Sequence, residues 1–592
     1  MRRLVWIILS VHAVLLVWSI PDYFPSVDHA YHVALARQYG EHGSFYWDSI
    51  HYAPEGRPNL QGPLLHYAIG GLGRLLGGSG NAYVVALAIF GFAQWAAAMW
   101  TAYFFGRRYS GDVGALIAAV LLAGSAFASF PFSIGLPSGW TFILAPWAIH
   151  FFLEGRTALT VLCLSAAIYV HLAGIAMVPV GVLIAAVLTR QWRRLIITGL
   201  VTFVVAAPYI AHFLLHRAWY RGERGHVAMT IAPLIYILAA PALAGILRRP
   251  RQYAFLIAWS AAPLAWLVQD PTRFVAQSTI AGAVLGGVFI AWVWERTGPR
   301  LRTALVTALV AMATLYPLSI PSLAVELLWD VKPGSLLRQL DWKAMRAVAD
   351  AIERDGLNSR MVSVYNTSLG SAIAVYTPVR QLYGHWVEVQ PPKYSANRVP
   401  AGELVHVLPL APDDARLQDL TRRGWVRVHG GARTTTVVTL ERRPTVPETS
   451  ALLMTTLSED CAWLSRNAVN NTMPSTAKLF SSTAQRERRQ KLDAQRARVG
   501  AVQLALLLHA YTLEPVDAQV SRQVRGYANA FGSMANFLSD DSAVGMMSDA
   551  RHELLRKNLT RVAEQSRCLT MLMCQELQKA LSKLSRDYFW AA

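Results

Sequence analysis

From residue 82 to residue 321 the chain repeats one pattern, an apolar run of about a membrane's width followed by a short, mostly basic turn. A helix crosses the hydrocarbon core with roughly 20 apolar residues, fewer where it leans on partners. Read this way, the sequence predicts about eleven spans, at 4–20, 82–105, 112–130, 138–153, 157–170, 173–189, 195–215, 228–247, 252–268, 274–294 and 302–321. The division between the fifth and sixth rests on a weak interruption, chiefly His171 and Gly174. Composition agrees, since 54% of residues are hydrophobic and only 15% charged, with a mean hydropathy of +0.31. The chain therefore reads as a polytopic plasma or inner membrane protein with a soluble part.

Charge sets the expected orientation. With a cytoplasmic N-terminus, the inner loops hold Arg107, Arg108, Arg156, Arg190, Arg193, Arg194, Arg248, Arg249, Arg251, Arg296, Arg300 and Arg302. The outer connections at 131–137, 171–172 and 269–273 are nearly free of Lys and Arg, as the positive-inside rule requires. Much of the net charge of +19 is thus accounted for by the membrane, and no nucleic-acid partner is expected. One outer loop breaks the pattern with Arg217, Arg221 and Arg224 beside Trp219 and Tyr220, a set suited to anionic lipid head groups. Met1, Arg2 and Arg3 precede the first run as in a signal peptide, but no A-x-A site precedes Pro21, so a retained first helix is expected.

An odd number of spans places the remainder outside the cytoplasm. The expected domains are a membrane domain at 1–325 with a first outer loop at 21–80, a small extracytoplasmic α/β domain at 326–447, and a helical C-terminal region at 448–592. Within the second, 342–357 has helical periodicity, 361–365 reads as a strand, 371–376 as a short helix or strand, and 404–409, 424–429 and 435–441 as strands. Helices are expected at 482–512, 515–538 and 541–587. The four cysteines, Cys163, Cys461, Cys568 and Cys574, include no CxxC pair, which points away from zinc; a disulfide among the last three is open.

Chemistry concentrates in residues 21–67. This polar interruption holds Asp28, His29, His32, Asp48, His51, Glu55, Arg57 and His66, a density of titratable groups that marks a reactive site more than a connector. Asp28 and His32 lie one helical turn apart and share a face of a short predicted helix. Asp28 two residues after Ser26 also fits a helix N-cap, Asp48 also fits a turn, and interfacial histidines are commonly structural. Arg273 lies where the tenth span begins, and also stands near enough to Asp270 for a surface pair. His171 lies at an outer helix end inside an apolar run, where a polar ring is costly without a partner.

The order of motifs in that loop, an acid just past the first span, then Trp47-Asp48, then Pro54-Glu55-Gly56-Arg57-Pro58, then Pro63-Leu64-Leu65-His66-Tyr67, resembles the first outer loop of the GT-C glycosyltransferases. It looks most like the oligosaccharyltransferase catalytic-subunit branch, and also resembles the protein O-mannosyltransferase and aminoarabinose transferase branches. The segment 383–388 suits a strand end facing the membrane site, but the WWDYG signature of oligosaccharyltransferases is missing, which puts transfer to peptide asparagine in doubt. The resemblance implies a sugar donor on a polyprenyl phosphate or diphosphate and an extracytoplasmic glycan, lipid or protein acceptor. It implies Asp28 as the catalytic carboxylate, Arg273 near the leaving phosphate, and His66, His171, His32 and Arg221 as further donor or acceptor contacts. Asp28 and Asp48 are the candidate ligands of a divalent cation, Mg²⁺ or Mn²⁺, although the next outer loop, 132–138, lacks the acidic pair of the oligosaccharyltransferase branch. Two other classes fit the same topology: a lipid-linked glycan flippase, which needs charges deep within spans, and a membrane-anchored assembly protein working through its C-terminal helices.

Overall fold

A computed structural model describes residues 10, 27–43, 46–124, 137–220, 233–266, 278–302, 304, 342–365, 367–382, 399–468, 482–537, 549–568 and 573–589. The expected spans 4–20 and 302–321, the loop 131–137 and the segment 383–388 lie largely or wholly outside them.

The first described helix, α1 (Val27–His42), is followed by a two-residue ladder between β1 (Trp47–Asp48) and β2 (Arg57–Pro58), and by α2 (Pro63–Leu75). Proline at the start of α2 has no N–H to leave unsatisfied in the first turn. The two helices cross closely because both present glycine there. A Cβ on Gly70 would lie 2.3 Å from the carbonyl oxygen of Ala36, and one on Gly40 2.8 Å from the carbonyl oxygen of Gly70. Rather than lying on the surface as an interfacial helix does, α1 is buried nearly all round, through Ala30, Tyr31, Val33, Ala34, Leu35 and Ala36.

The membrane domain follows. The long helix α3 (Gly80–Gly124) is interrupted by non-helical backbone at Ser110 and Gly111, the latter at φ +68°. A Cβ on Gly106 would come within 2.9 Å of the Cα of Ala115. Residues nine apart on a straight helix stand about 13 Å apart, so the chain reverses here, and α3 is two antiparallel limbs that match the second and third expected spans. Gly111 supplies the left-handed backbone that the reversal needs. Next come α4 (Pro137–Leu153), α5 (Thr157–Val170), α6 (Ala173–Thr189), α7 (Trp192–Leu215), α8 (Pro233–Ile246), α9 (Ala254–Ala261) and α10 (Thr279–Arg296). The weakly signalled break between α5 and α6 is real: His171 leaves the helix in extended conformation, and its Nδ1 accepts the Ala173 amide at 3.1 Å. Along α7, Ile196, Leu200, Phe203, Val204 and Leu215 are exposed, as an apolar helix facing lipid should be. Segments 80–122, 192–215 and 279–296 are long and apolar enough to cross a membrane; several others are apolar but shorter.

The α/β part begins with α11 (Trp342–Arg354), then β3 (Met361–Val364), α12 (Thr367–Tyr376), β4 (Arg380–Gln381), β5 (Leu404–Leu408), α13 (Ala415–Arg422), β6 (Val426–Ala432) and β7 (Thr435–Leu440). They build one mixed sheet in the order β4-β3-β5-β7-β6, parallel from β4 to β5 and antiparallel beyond. Helix α14 (Val446–Thr456) opens with a capping box of Thr445 and Glu448, continues through a π turn, Leu457–Cys461, and ends in α15 (Ala462–Asn467), within the region expected to be helical but where the sequence reading sets no helix bounds. The last helices are α16 (Ser482–Leu513), α17 (Ala518–Phe537), α18 (Asp549–Gln565) and α19 (Gln575–Phe589). The single helix expected over 541–587 is therefore two, and the turn between them is bridged by a Cys568–Cys574 disulfide, while Cys461 is buried and unpaired. Continuous helical periodicity conceals such a break because neither Gly nor Pro punctuates it.

A single core joins units far apart in the chain. Val33, Ala36, Leu65 and Ile69 of the first loop pack in one cluster with Ile373, Val407 and Val438 of the α/β part and with Val502, Phe531 and Leu555 of the C-terminal helices. A second core, with Trp95, Phe105, Phe152 and Trp259, fills the membrane domain. The crossing of α1 and α2 is the most easily broken joint in the first: Gly70→Ala should lower stability by about 1–3 kcal/mol, read as a fall in thermal midpoint of the detergent-purified protein, whereas Gly71→Ala, with nothing within 4 Å, should not.

Candidate active site

In the first turn of α1 stands Asp28, its side chain outside the described residues. Tyr31 and His32, three and four residues on, follow it on the same helix face. Each belongs to a separate buried array.

The Tyr31 array is ionic. Arg57 is fully buried, hydrogen-bonds the Tyr31 hydroxyl, sits over the Tyr52 ring at 4.5 Å from its centroid, and places Nε 3.7 Å from Asp48 Oδ2. His51 Nδ1 lies 3.0 Å from both carboxylate oxygens of Asp48, and the His51 amide donates to Oδ1 at 3.1 Å. Since the carboxylate only accepts, His51 carries its proton on Nδ1, and Nε2 accepts from the hydroxyl of Ser371 at 2.9 Å. Burial alone would raise the Asp48 pKa, but His51 and Arg57 outweigh it and hold the carboxyl below its ordinary value. Burial likewise pushes the Tyr31 hydroxyl well up, despite Arg57 beside it, so it stays protonated. The result is a buried guanidinium met by the Asp48 carboxylate, the Tyr52 ring and the Tyr31 hydroxyl. Removing either member of such a buried pair typically costs about 3–5 kcal/mol.

The second array pairs His32 with His66. His66 Nδ1 donates to the carbonyl of Gly62 at 3.0 Å, which leaves Nε2 to accept from His32 Nδ1 at 2.8 Å. Burial pulls the His66 pKa down to about 4. Between β2 and α2 the segment 57–62 is itself buried. It is fastened to α7 by Tyr209 Oη donating to the Leu60 carbonyl at 2.8 Å and by His212 Nε2 donating to the Asn59 carbonyl at 2.9 Å. A Cβ on Gly62 would meet the carbonyls of Tyr169 and Val170 at 2.5 Å, so only glycine lets this loop rest on the end of α5.

Of the residues singled out by sequence, Asp28, His32, Asp48 and His66 fall within this one region, while His171 caps α6 at the neighbouring helix break. Arg273 and Arg221 lie outside the described residues. His51 and Arg57, counted in the titratable cluster but given no individual role, also build this region, as do Tyr31 and Ser371, which were not singled out. Arg57, a charge set between two prolines and a glycine, was the legible one; Ser371, 320 residues from its partner, carries no local signal. Among the described residues no group of three or more His, Cys, Asp or Glu is placed to hold a metal ion. Asp48 does not fit as a cation ligand, because both its oxygens face His51 and the Arg57 guanidinium stands beside it.

The described architecture shares its fold with solved structures of another protein. Two solved structures of ArnT from Cupriavidus metallidurans share it: one bound to undecaprenyl phosphate, at 16% identity and a TM-score of 0.52 over 73% of this chain and 97% of that one, and one in the apo state, at 16% and 0.50 over 74% and 98%. The Archaeoglobus fulgidus oligosaccharyltransferase gives 14% and 0.45 over 71% and 68%, a likeness too low to bear on the fold. No family model matches the sequence, and no curated protein matches it.

His66 makes acid stability a direct readout of this geometry. Its folded pKa, about 4, lies below the 6.5 of the free ring, so its contribution is complete above pH 6.5 and lost as pH falls toward 4, the unfolded chain binding the extra proton. Thermal midpoints of the purified protein should drop across that window, and His66→Gln should flatten the slope.

Proposed function

We propose that the chain is an integral-membrane glycosyltransferase that moves a sugar from a polyprenyl-phosphate-type carrier to an acceptor outside the cytoplasm, with Asp28 as its catalytic carboxylate. The observation that carries this reading is the placement, within a GT-C-type fold, of Asp28 at the head of a helix whose next turn bears a Tyr31-bound, fully buried Arg57. A carboxylate and a held cation on one face suit a reaction that removes a proton from one reactant while a phosphate departs from the other. The acceptor oxygen or nitrogen bonds to the anomeric carbon, and its proton passes to Asp28. The bond from that carbon to the phosphate oxygen breaks, its electron pair leaving with the lipid phosphate. Arg273 is assigned to that phosphate, with Arg221 and its neighbours nearer the lipid. His66, with both ring nitrogens engaged, orients His32 toward the ligand. His171 is assigned to the rim of the same site. No step is routed through a divalent cation, since Asp48 is committed to His51 and Arg57.

The ArnT structure bound to undecaprenyl phosphate supports a polyprenyl carrier; hexosyl and oligosaccharyl donors are both compatible with these residues. The N-terminus is assigned to the cytoplasm and the α/β part and C-terminal helices to the other side, which fits a disulfide between Cys568 and Cys574. Alkylation of intact cells should leave both thiols unreactive until a reductant is added, while labelling without reductant would place them in the cytoplasm.

Asp28→Ala and Asp28→Asn should lower product formation from radiolabelled polyprenyl-linked sugar by about 10²–10⁴-fold, with expression and thermal midpoint unchanged. Transfer at the wild-type rate in either variant refutes the assignment.

A further inference from the structure

The sheet of the α/β part has an edge at β4, and that edge is not left bare. Gln381 donates its amide to the carbonyl of Ile50 at 2.7 Å and accepts from the amide of Ala53 at 2.9 Å, so the first loop is annexed to the sheet by backbone pairing. Along the same seam, the hydroxyl of Ser371 on α12 lies 2.9 Å from His51 Nε2. On α1 itself, Arg37 reaches the carbonyl of Val375 at 3.0 Å.

The loop residue between these attachments is unusual. Tyr52 has φ +60°, a left-handed backbone that a bulky residue adopts only when its surroundings over-determine it. Its conformation is what brings the phenol ring under the Arg57 guanidinium. His51, the neighbour of Tyr52, is clamped on both ring nitrogens, by Asp48 from the loop and by Ser371 from the α/β part. The strained turn is thus gripped on its two sides by residues more than three hundred positions away.

We infer that the α/β part is a positioning element for the first-loop site: Ser371, acting through His51, and Gln381, acting through the backbone of Ile50 and Ala53, hold Tyr52 in its left-handed state and so keep Arg57 aimed at the Tyr31 and Asp28 face of α1. Ser371 touches no reactant; it is a positioning residue that works across the seam. This rests on the transfer reading above only for its consequence in catalysis, since the seam itself is measurable without it.

Ser371→Ala removes the hydroxyl and leaves the backbone pairing, and Ser371→Cys does so at nearly constant volume. Hydrogen exchange on the full-length protein in nanodiscs should show amides of residues 50–58 exchanging about tenfold faster in both variants, with β3 and β5 unchanged. Release of radiolabelled sugar from undecaprenyl phosphate should lose about tenfold to a hundredfold in kcat with little change in KM, and Ser371→Thr, which keeps the hydroxyl, should recover most of it. Unchanged exchange at 50–58 overturns the seam, and faster exchange with undiminished kcat overturns the positioning role. A wild-type protein that releases no sugar refutes the transfer reading instead, and the exchange result then decides the seam alone.

Discussion

A buried guanidinium is the constraint around which the rest of the site is arranged. Arg57 is fully buried, and an unbalanced charge in such a place is among the costliest arrangements a protein can hold. It is met by three kinds of partner at once: the Asp48 carboxylate, the face of the Tyr52 ring and the Tyr31 hydroxyl. Asp48 in turn needs His51, and His51 needs Ser371. Each requirement is met by a residue farther from the charge, until the chain of dependence leaves the first loop and enters the sheet.

This explains how residues 46–62, between α1 and α2, hold one conformation although most of them are irregular. Their backbone groups are satisfied by three different units: α7 at Asn59 and Leu60, the β4 edge at Ile50 and Ala53, and the β1–β2 ladder. Glycine is used where these units approach one another most closely, as at Gly62 on the end of α5 and at Gly70 against α1. The candidate site residues ride on a backbone with little freedom left, which is the condition for holding groups in a fixed geometry.

Much of the fold was legible in the sequence because the bilayer imposes a strong pattern. Apolar runs and basic turns located the described membrane helices, including the weak break at His171, and strand alternation located β3, β5, β6 and β7. Helices on the C-terminal side were less legible, since polar, Leu-rich periodicity runs unbroken through the turn at 566–574 and gives little sign of α14. In the first loop, the density of titratable groups in residues 21–67 pointed to the stretch that holds the buried polar cluster but not to its pairing. Asp48 read as a metal ligand or a turn residue because its real partners, His51 and Arg57, are revealed only when β1 and β2 pair. Ser371 was invisible for a simpler reason: a serine in a short apolar segment looks like any other until the segment is docked.

The distance along the chain between His51 and Ser371, 320 residues, bears on how the protein is made. During synthesis the first loop is made hundreds of residues ahead of the sheet that completes it, and contacts of such long range form late. Until then the nascent segment holds an arginine and a strained tyrosine turn without their full complement of neighbours. Completion of the seam therefore waits on synthesis of the α/β part, and a ribosome that stalls before residue 371 leaves the first loop without Ser371 and the Gln381 pairing.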